Sequence, residues 1–318
     1  MRIFWCTVDR SNRVAPHIFK TLLDGVSRIA EVEVESKKFN MLTGELCKAI
    51  YKEDYYTGKT LDPIYINQHF DFVFTDAIFA FNNEEWKNIK IPKVLLLEDL
   101  HGELVQYYST VAIDEFKFDC IFTRYKNPSK KLLPEIYKTK VKWLPHCINE
   151  NATDYGLNKD HGILLTGSLN SNVYPIRSFI FDRLNGESFF THIQRPEETV
   201  ENVNEWPSGN DYFKLLNSSK ISVGTTSIYN YPVIKLFEIP ACNSVLLSDY
   251  NDEMKELGFI PNENMVEIDV KNLCNQVKSI LEDDEFREKV SKNGYQMVHE
   301  NHNGRTRAKQ FLNKIKKI

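Results

Sequence analysis

The strongest constraint on this chain is a rhythm that starts twice. Short apolar runs alternate with segments of helical spacing. In the first series the runs are Ile3–Val8, Glu31–Val34, Phe70–Thr75, Val94–Leu97, Cys120–Thr123 and Val141–Leu144, with helical spacing over Pro16–Ser27, Leu42–Tyr51 and Lys130–Tyr137. A polar, aperiodic stretch with one glycine, Ile148–Asp160, then reads as a linker. The second series has strands at Gly162–Thr166, Phe189–His192, Ile221–Gly224, Val245–Ser248 and Met265–Ile268. Helices are expected at Tyr174–Arg183, Asp211–Leu216, Ile234–Cys242, Asp252–Leu257, Val270–Leu281 and Glu285–His299, and a basic helix, Arg305–Ile318, ends the chain. Strand, helix, strand in succession predicts a parallel sheet with helices on its faces. The fold class is therefore α/β, as two such domains facing a cleft. The length agrees: 318 residues is about twice the ~150 of a single domain. Ligands of such sheets bind beyond the carboxyl ends of the strands.

Composition removes several function classes. Forty Lys and Arg against 44 Asp and Glu leave a net charge of −4, so nothing marks the chain as a general nucleic-acid binder. None of the 13 glycines forms a G-x-G, which excludes the dinucleotide fingerprint and its close backbone approach to a pyrophosphate. The cysteines, Cys6, Cys47, Cys120, Cys147, Cys242 and Cys274, lie in or beside apolar segments without C-x-x-C spacing, as reduced core residues do. His299 and His302 form an H-x-x-H with no third ligand nearby, so no metal site is expected. The chain opens on a strand too short for a signal h-region, and no segment approaches ~18 apolar residues, so the expected location is cytoplasmic.

Two segments of the second half carry the most chemistry. In Leu164–Arg177 a strand ends at Thr166, Gly167 and Ser168 open a loop, and Pro175 marks the first turn of a helix. Such a turn aims backbone N–H groups and a positive helix end at an anion, a diphosphate being the natural guest, and Arg177 adds a fixed charge. An ordinary strand–helix turn has the same look. In Tyr231–Tyr250, Lys235 and Glu238 share one face of a helix, and Pro240 is tolerable only if that helix has just begun. A carboxylate there suits the two hydroxyls of a ribose and the ammonium suits a phosphate; a plain surface ion pair is the alternative.

In the first half, Asp9 to His17 follows the first strand, and Asp9 or His17 is a candidate general base. Glu98-Asp99-Leu100-His101 follows Val94–Leu97 and reads in itself as an N-cap and a solvated turn. The basic runs, Arg124 with Lys126, Lys130 and Lys131, and the C-terminal lysines, read as solvated faces, with a peripheral contact to an acidic membrane surface as the alternative.

From about residue 140 to 310 the chain resembles the C-terminal half of GT-B glycosyltransferases, in particular the "glycosyl transferases group 1" set with the spore-maturation CgeB-like proteins. The match runs through Phe237, Glu238, Ala241, Cys242, Leu246, Leu247, Asp249 and Tyr250, the Gly167-Ser168 loop with Tyr174-Pro175 and Arg177, Trp143 to His146, and His302 with Arg307. The resemblance implies two Rossmann-like domains, 1–150 for the acceptor and 151–300 for a nucleotide-sugar donor, with residues 301–318 as a helix crossing back to the first. It implies that Glu238 holds the ribose, that Lys235, Arg177 and the Gly167 and Ser168 amides neutralise the diphosphate, that the base lies near His192–Arg195, and that Asp99 and His101, in a polar His-containing turn, are candidate catalytic residues in contact with the donor sugar. Asn243 stands where the pattern has glycine, and Asn230 where many retaining members carry a second Glu.

The expected activity is metal-independent transfer of a sugar, a hexose by preference, from a nucleoside diphosphate to a hydroxyl, UDP favoured over GDP and no cofactor beyond that donor. A sugar-nucleotide epimerase of the same fold and a non-catalytic nucleotide-sugar-binding protein are the alternatives. The acceptor, whether glycan, lipid-linked, protein or small molecule, is not legible in the residues.

Overall fold

The structure, a computed structural model, describes residues 1–9, 17–39, 56–57, 61–76, 83–102, 113–194 and 207–318. The expected helix Leu42–Tyr51 lies outside them. The chain divides into two compact units, Met1–Pro145 with Arg307–Ile318, and His146–Thr306.

The N-terminal unit is built on β1 (Arg2–Asp9), β2 (Glu31–Phe39), β3 (Tyr56–Thr57), β4 (Phe72–Thr75), β5 (Lys93–Leu97), β6 (Cys120–Thr123) and β7 (Val141–Trp143). Their order is β3-β2-β1-β4-β5-β6-β7, parallel throughout except for the short antiparallel β2–β3 pair. β4, β5 and β6 are buried at every position, whereas edge strand β7 is half-buried. That is the signature of a parallel sheet covered on both faces. One face packs on Phe4, Leu95, Ile121 and Trp86, the other on Ile3, Trp5, Phe74 and Phe122.

Helices α1 (His17–Ser27), α2 (Pro63–His69), α3 (Asn83–Asn88), α4 (Lys126–Leu132) and α5 (Glu135–Lys138) belong to this unit. The single helix expected over Lys130–Tyr137 is two. Pro134 lacks the N–H that would continue α4 and drives Leu133 into an extended conformation (φ −87°, ψ 141°).

The C-terminal unit has β8 (His161–Thr166), β9 (Phe190–Ile193), β10 (Ser219–Val223), β11 (Val245–Ser248) and β12 (Val266–Glu267), all parallel in the order β12-β11-β10-β8-β9. Its helices are α6 (Pro175–Leu184), α7 (Asn210–Asn217), α8 (Lys235–Ala241), α9 (Asp252–Glu256), α10 (Leu273–Glu282) and α11 (Asp284–Asn301). The helix expected from Val270 starts at Leu273 because Asp269 accepts from the Lys271 and Asn272 amides and holds those residues in a turn.

The last helix, α12 (Gly304–Ile315), returns to the N-terminal unit from Arg307 onward. Its Ala308, Phe311, Leu312 and Ile315 enter the core beside Trp5 and Phe74. Phe311 meets Phe74 edge-on at 5.1 Å and lies 5.0 Å from Phe122. Lys142 Nζ donates to Lys314 O (2.8 Å) and Lys314 Nζ to Trp143 O, tying the helix to β7.

The polar stretch Ile148–Asp160 is not a linker but part of the C-terminal unit. Its polarity has a different cause. Asn217 and Asn243 stand at the carboxyl ends of α7 and α8, where helices leave carbonyls unsatisfied. Lys159 Nζ donates to the carbonyls of both (2.6 Å each). Asp154 accepts from the Asn217 and Asn243 side chains (2.8 Å each) and the Gly156 amide (2.9 Å). Burial pushes the Asp154 carboxyl up, but these donors and the Lys159 charge outweigh it and hold it below its ordinary value.

Each sheet reverses its strand order once, between β1 and β4 in the first unit and between β8 and β10 in the second. Ligands of open parallel sheets bind beyond the carboxyl ends of the strands at these reversals.

Candidate functional site

In the C-terminal unit the reversal lies where Thr166 ends β8 and where Gly224 and Thr225 leave β10. Gly224 lets the elements close up: a Cβ there would stand 2.7 Å from Leu236 Cδ2 and 2.8 Å from Leu246 Cδ1. This close approach seats α8 over the sheet and brings Lys235, its first residue, to β8. Lys235 Nζ donates to Thr166 O and to Thr166 Oγ1 (2.9 Å).

Gly167 follows at φ +109°, a conformation L side chains rarely adopt. A Cβ on Gly167 would lie 3.0 Å from an Arg177 guanidinium nitrogen and 3.2 Å from Lys235 Nζ, so two cations converge on this one glycine. Arg177, in the first turn of α6, is 5% exposed, donates to Ser168 O (3.0 Å) and stacks on the Tyr174 ring at 3.9 Å. Burial pulls its pKa down; Tyr174, Tyr212 and Asp249 oppose that. His192, on β9, donates from Nε2 to Gly167 O (3.2 Å), because a carbonyl only accepts. Burial lowers the His192 pKa, the Gly167 carbonyl opposes, and repulsion from Arg177 and Lys235 adds to the lowering.

Gly167, Ser168, Arg177, Lys235 and His192 are thus brought together. Two expectations change. The Gly167 amide donates to Ile193 O (3.0 Å), so it closes the turn against β9, and of the two amides expected for a diphosphate only that of Ser168 remains in the reading. His192 holds the same turn from its carbonyl side; Arg195 lies outside the described residues.

Glu238 follows Lys235 by one turn of α8 and is 3% exposed. Tyr212 of α7, 6% exposed, lies within its field: burial drives the phenol pKa well up and the Glu238 carboxylate adds to it, while Thr166 and Arg177 act the other way. The sequence reading missed Tyr212, and it missed Thr225-Thr226-Ser227. These three are buried in the loop beyond β10, and Asp249, just past β11, takes the Thr226 amide (2.9 Å) and hydroxyl. Thr225 Oγ1 is buried without a hydrogen-bond partner among the described residues. A hydroxyl-rich run directly after an apolar strand was the available signal. Asn230 and Asn243 both adopt positive φ (56° and 54°).

The N-terminal candidates are arranged differently. Asp9 ends β1, and His17 opens α1. Asp99 and His101 follow β5, two strand positions from β1, roughly 10 Å at the usual spacing. Their turn is fixed on one side by a Glu98–Arg124 ion pair (3.2 Å), and Arg124 also donates to Pro145 O (3.3 Å). Asp99 keeps exposed surface, yet crowding raises its carboxyl pKa, with the His101 charge and a Tyr125 hydrogen bond opposing. Asp9 and Asp99 thus lie at the carboxyl ends of strands two positions apart, and Asp99 feels the charge of His101.

The paired histidines of the H-x-x-H serve the backbone: His299 Nε2 donates to Ala241 O (3.1 Å) and His302 Nε2 to Leu257 O (2.8 Å). His146 is buried near Phe237. Among the described residues no group of three His, Cys, Asp or Glu is placed to hold a metal ion, and no helix is long and apolar enough to cross a membrane.

Residues 177–313 match the family model for a glycosyl transferase-like domain. No curated protein matches the chain. The fold is that of GT-B glycosyltransferases. HepE of Anabaena, solved with UDP and glucose, is similar over 99% of both chains at 11% identity and a TM-score of 0.63. Sucrose-phosphate synthase of Thermosynechococcus elongatus is similar over 100% of this chain and 98% of its own, at 11% identity and a TM-score of 0.61. A glycosyltransferase of Rickettsia africae covers 99% and 98%, at 12% identity and a TM-score of 0.57. The chain therefore has the GT-B fold, and its residues 177–313 match a glycosyl transferase-like family model.

Proposed function

We propose that this protein transfers a hexosyl group from a UDP-sugar to a hydroxyl acceptor, without a metal ion. The observation that carries the proposal is the convergence of Arg177 and Lys235 on Gly167 at the strand-order reversal of the domain that matches the glycosyl transferase-like family. In the reaction the bond between the anomeric carbon and the diphosphate oxygen breaks. A bond from the anomeric carbon to the acceptor oxygen forms, and the acceptor proton passes to a base. Negative charge grows on the departing diphosphate. Arg177, Lys235 and the Ser168 amide are assigned to it; cations already in place stabilise that charge without reorganising. Glu238 is assigned to the ribose hydroxyls, and the base ring to the segment after His192. The acceptor and its base are assigned to the carboxyl edge of the N-terminal sheet, with Asp9, His17, Asp99 and His101 as candidates. The preference for uridine is supported by the similar Anabaena protein, solved with UDP and with UDP-glucose.

The test is mass spectrometry of the purified protein with a panel of nucleotide sugars, run on wild type, Lys235→Ala and Glu238→Ala. The expected outcome is release of UDP from a UDP-hexose, lost in both variants. Turnover unchanged in both would overturn the site. A converted sugar still attached to its nucleotide would overturn transfer in favour of epimerisation.

A further inference from the structure

The hydroxyl of Tyr212 is buried and holds no hydrogen bond of ordinary geometry among the described residues. A buried phenol is expected to have a partner. The packing of two helices shows which group it is set against. α7 leads into β10 and α8 leads into β11 of one parallel sheet, so both helices run back from its carboxyl edge and point the same way. They pack on each other, and at their far ends Asn217 Nδ2 donates to Cys242 O (2.9 Å). That bond fixes the level of one helix against the other. Counted back from it at about 1.5 Å per residue, Tyr212 lies about 7.5 Å along α7 and Glu238 about 6 Å along α8, nearly side by side. Long side chains on a helix lean toward its N-terminus, which here is the carboxyl edge where Thr166 ends β8.

Besides Glu238, the groups that act on the phenol are Thr166, Cys242 and Arg177, and none is as good an acceptor. Thr166 Oγ1 already accepts from Lys235 Nζ (2.9 Å), a thiol accepts weakly, and a guanidinium only donates. A carboxylate has about four lone-pair sites, enough for two ribose hydroxyls and one donor from the protein. Burial first, and the Glu238 charge after it, keep the proton on the phenol, so Tyr212 is a donor at neutral pH. We propose that Tyr212 is a positioning residue: its hydroxyl donates to one Glu238 oxygen and turns the carboxylate to the ribose hydroxyls of the donor nucleotide. This role rests on the assignment of Glu238 to the ribose.

The test is calorimetric titration of UDP and 2′,3′-dideoxy-UDP into the full chain as wild type, Tyr212→Phe, Glu238→Gln and the double variant. Tyr212→Phe keeps the ring and removes only a hydroxyl without a bond of its own, so the fold should be retained. Wild type should bind UDP about tenfold or more tighter than the dideoxy form, the scale of one hydrogen bond to a charged group. In Tyr212→Phe that preference should shrink about fivefold, while the dideoxy form binds as it does to wild type. In the Glu238→Gln background Tyr212→Phe should change nothing further, because its effect passes through the carboxylate. An equal loss with both ligands, as a merely structural tyrosine would give, or a further loss in the Glu238→Gln background would overturn the proposal. A wild-type preference that survives Tyr212→Phe overturns the role of Tyr212 and leaves the donor site standing. Wild type that binds both forms alike overturns the ribose assignment of Glu238, wild type that binds neither overturns the donor site, and the role of Tyr212 falls with either.

Discussion

The two units are built on sheets of one kind, but their sheet edges are furnished differently. At the edge of the C-terminal sheet, β9, α6 and α8 each send a polar group to the same glycine: His192 to its carbonyl, Arg177 and Lys235 to its α-carbon, with Arg177 also bonded to Ser168 O and Lys235 to Thr166 O. At the edge of the N-terminal sheet the polar candidates are spread out, with Asp9 at the end of β1 and Asp99 just past β5, strands that are not neighbours. The difference teaches where this fold keeps constancy. A diphosphate is the same in every nucleotide sugar, so a convergent, pre-bonded cradle suits it. On the proposed reading the spread-out edge is the acceptor's side, and an acceptor varies from one transferase to another.

The largest effect that would sharpen this comparison is on stability. Phe311 is fully buried in the N-terminal unit, so Phe311→Ala should cost that unit about 3–5 kcal/mol. Hydrogen exchange read by peptide should show the loss in residues 1–145, with the C-terminal unit protected as before. Equal loss in both units would break the distinction between them. Next, Lys235→Ala should lower the rate of UDP release from the donor by roughly 100-fold, the scale of one charge-assisted contact to developing charge. Arg177→Lys should cost roughly tenfold, since a lysine keeps the charge but neither the stack on Tyr174 nor the fork that reaches Ser168 O.

The smallest effect is pH dependence through His192. Its folded pKa lies below the ordinary 6.5, so the unfolded chain takes up the proton first. The stability His192 contributes is present above about pH 6.5 and is lost as pH falls toward its folded value. Thermal melts of His192→Gln against wild type should therefore shift in the variant's favour between pH 7.5 and 5.5, by a small margin because the ring is only half-buried. A shift in the other direction would contradict a His192 pKa lowered by burial, with repulsion from Arg177 and Lys235 adding to it.

Much of the fold was legible because buried parallel strands announce themselves: Cys120–Thr123 and Val245–Ser248 are strands with the expected ends. Boundaries set by a local chemical event were less so, as with Pro134, where the expected helix splits. The stretch Ile148–Asp160 misled because a segment that satisfies helix ends has the same composition as one that faces water. At the site, Lys235, Glu238 and Arg177 were legible from spacing and resemblance. The fate of the Gly167 amide was not, since its partner Ile193 is 26 residues away and found only through strand pairing. Tyr212 reads as an ordinary core aromatic until Glu238 is placed beside it.

The most direct measurement of the central claim is a two-by-two titration: UDP and uridine into wild type and Lys235→Ala. If Lys235 serves a diphosphate, UDP should bind the variant roughly 100-fold more weakly than wild type, and uridine should bind both alike. UDP affinity unchanged in the variant, or an equal loss with uridine, would contradict a diphosphate site at Gly167.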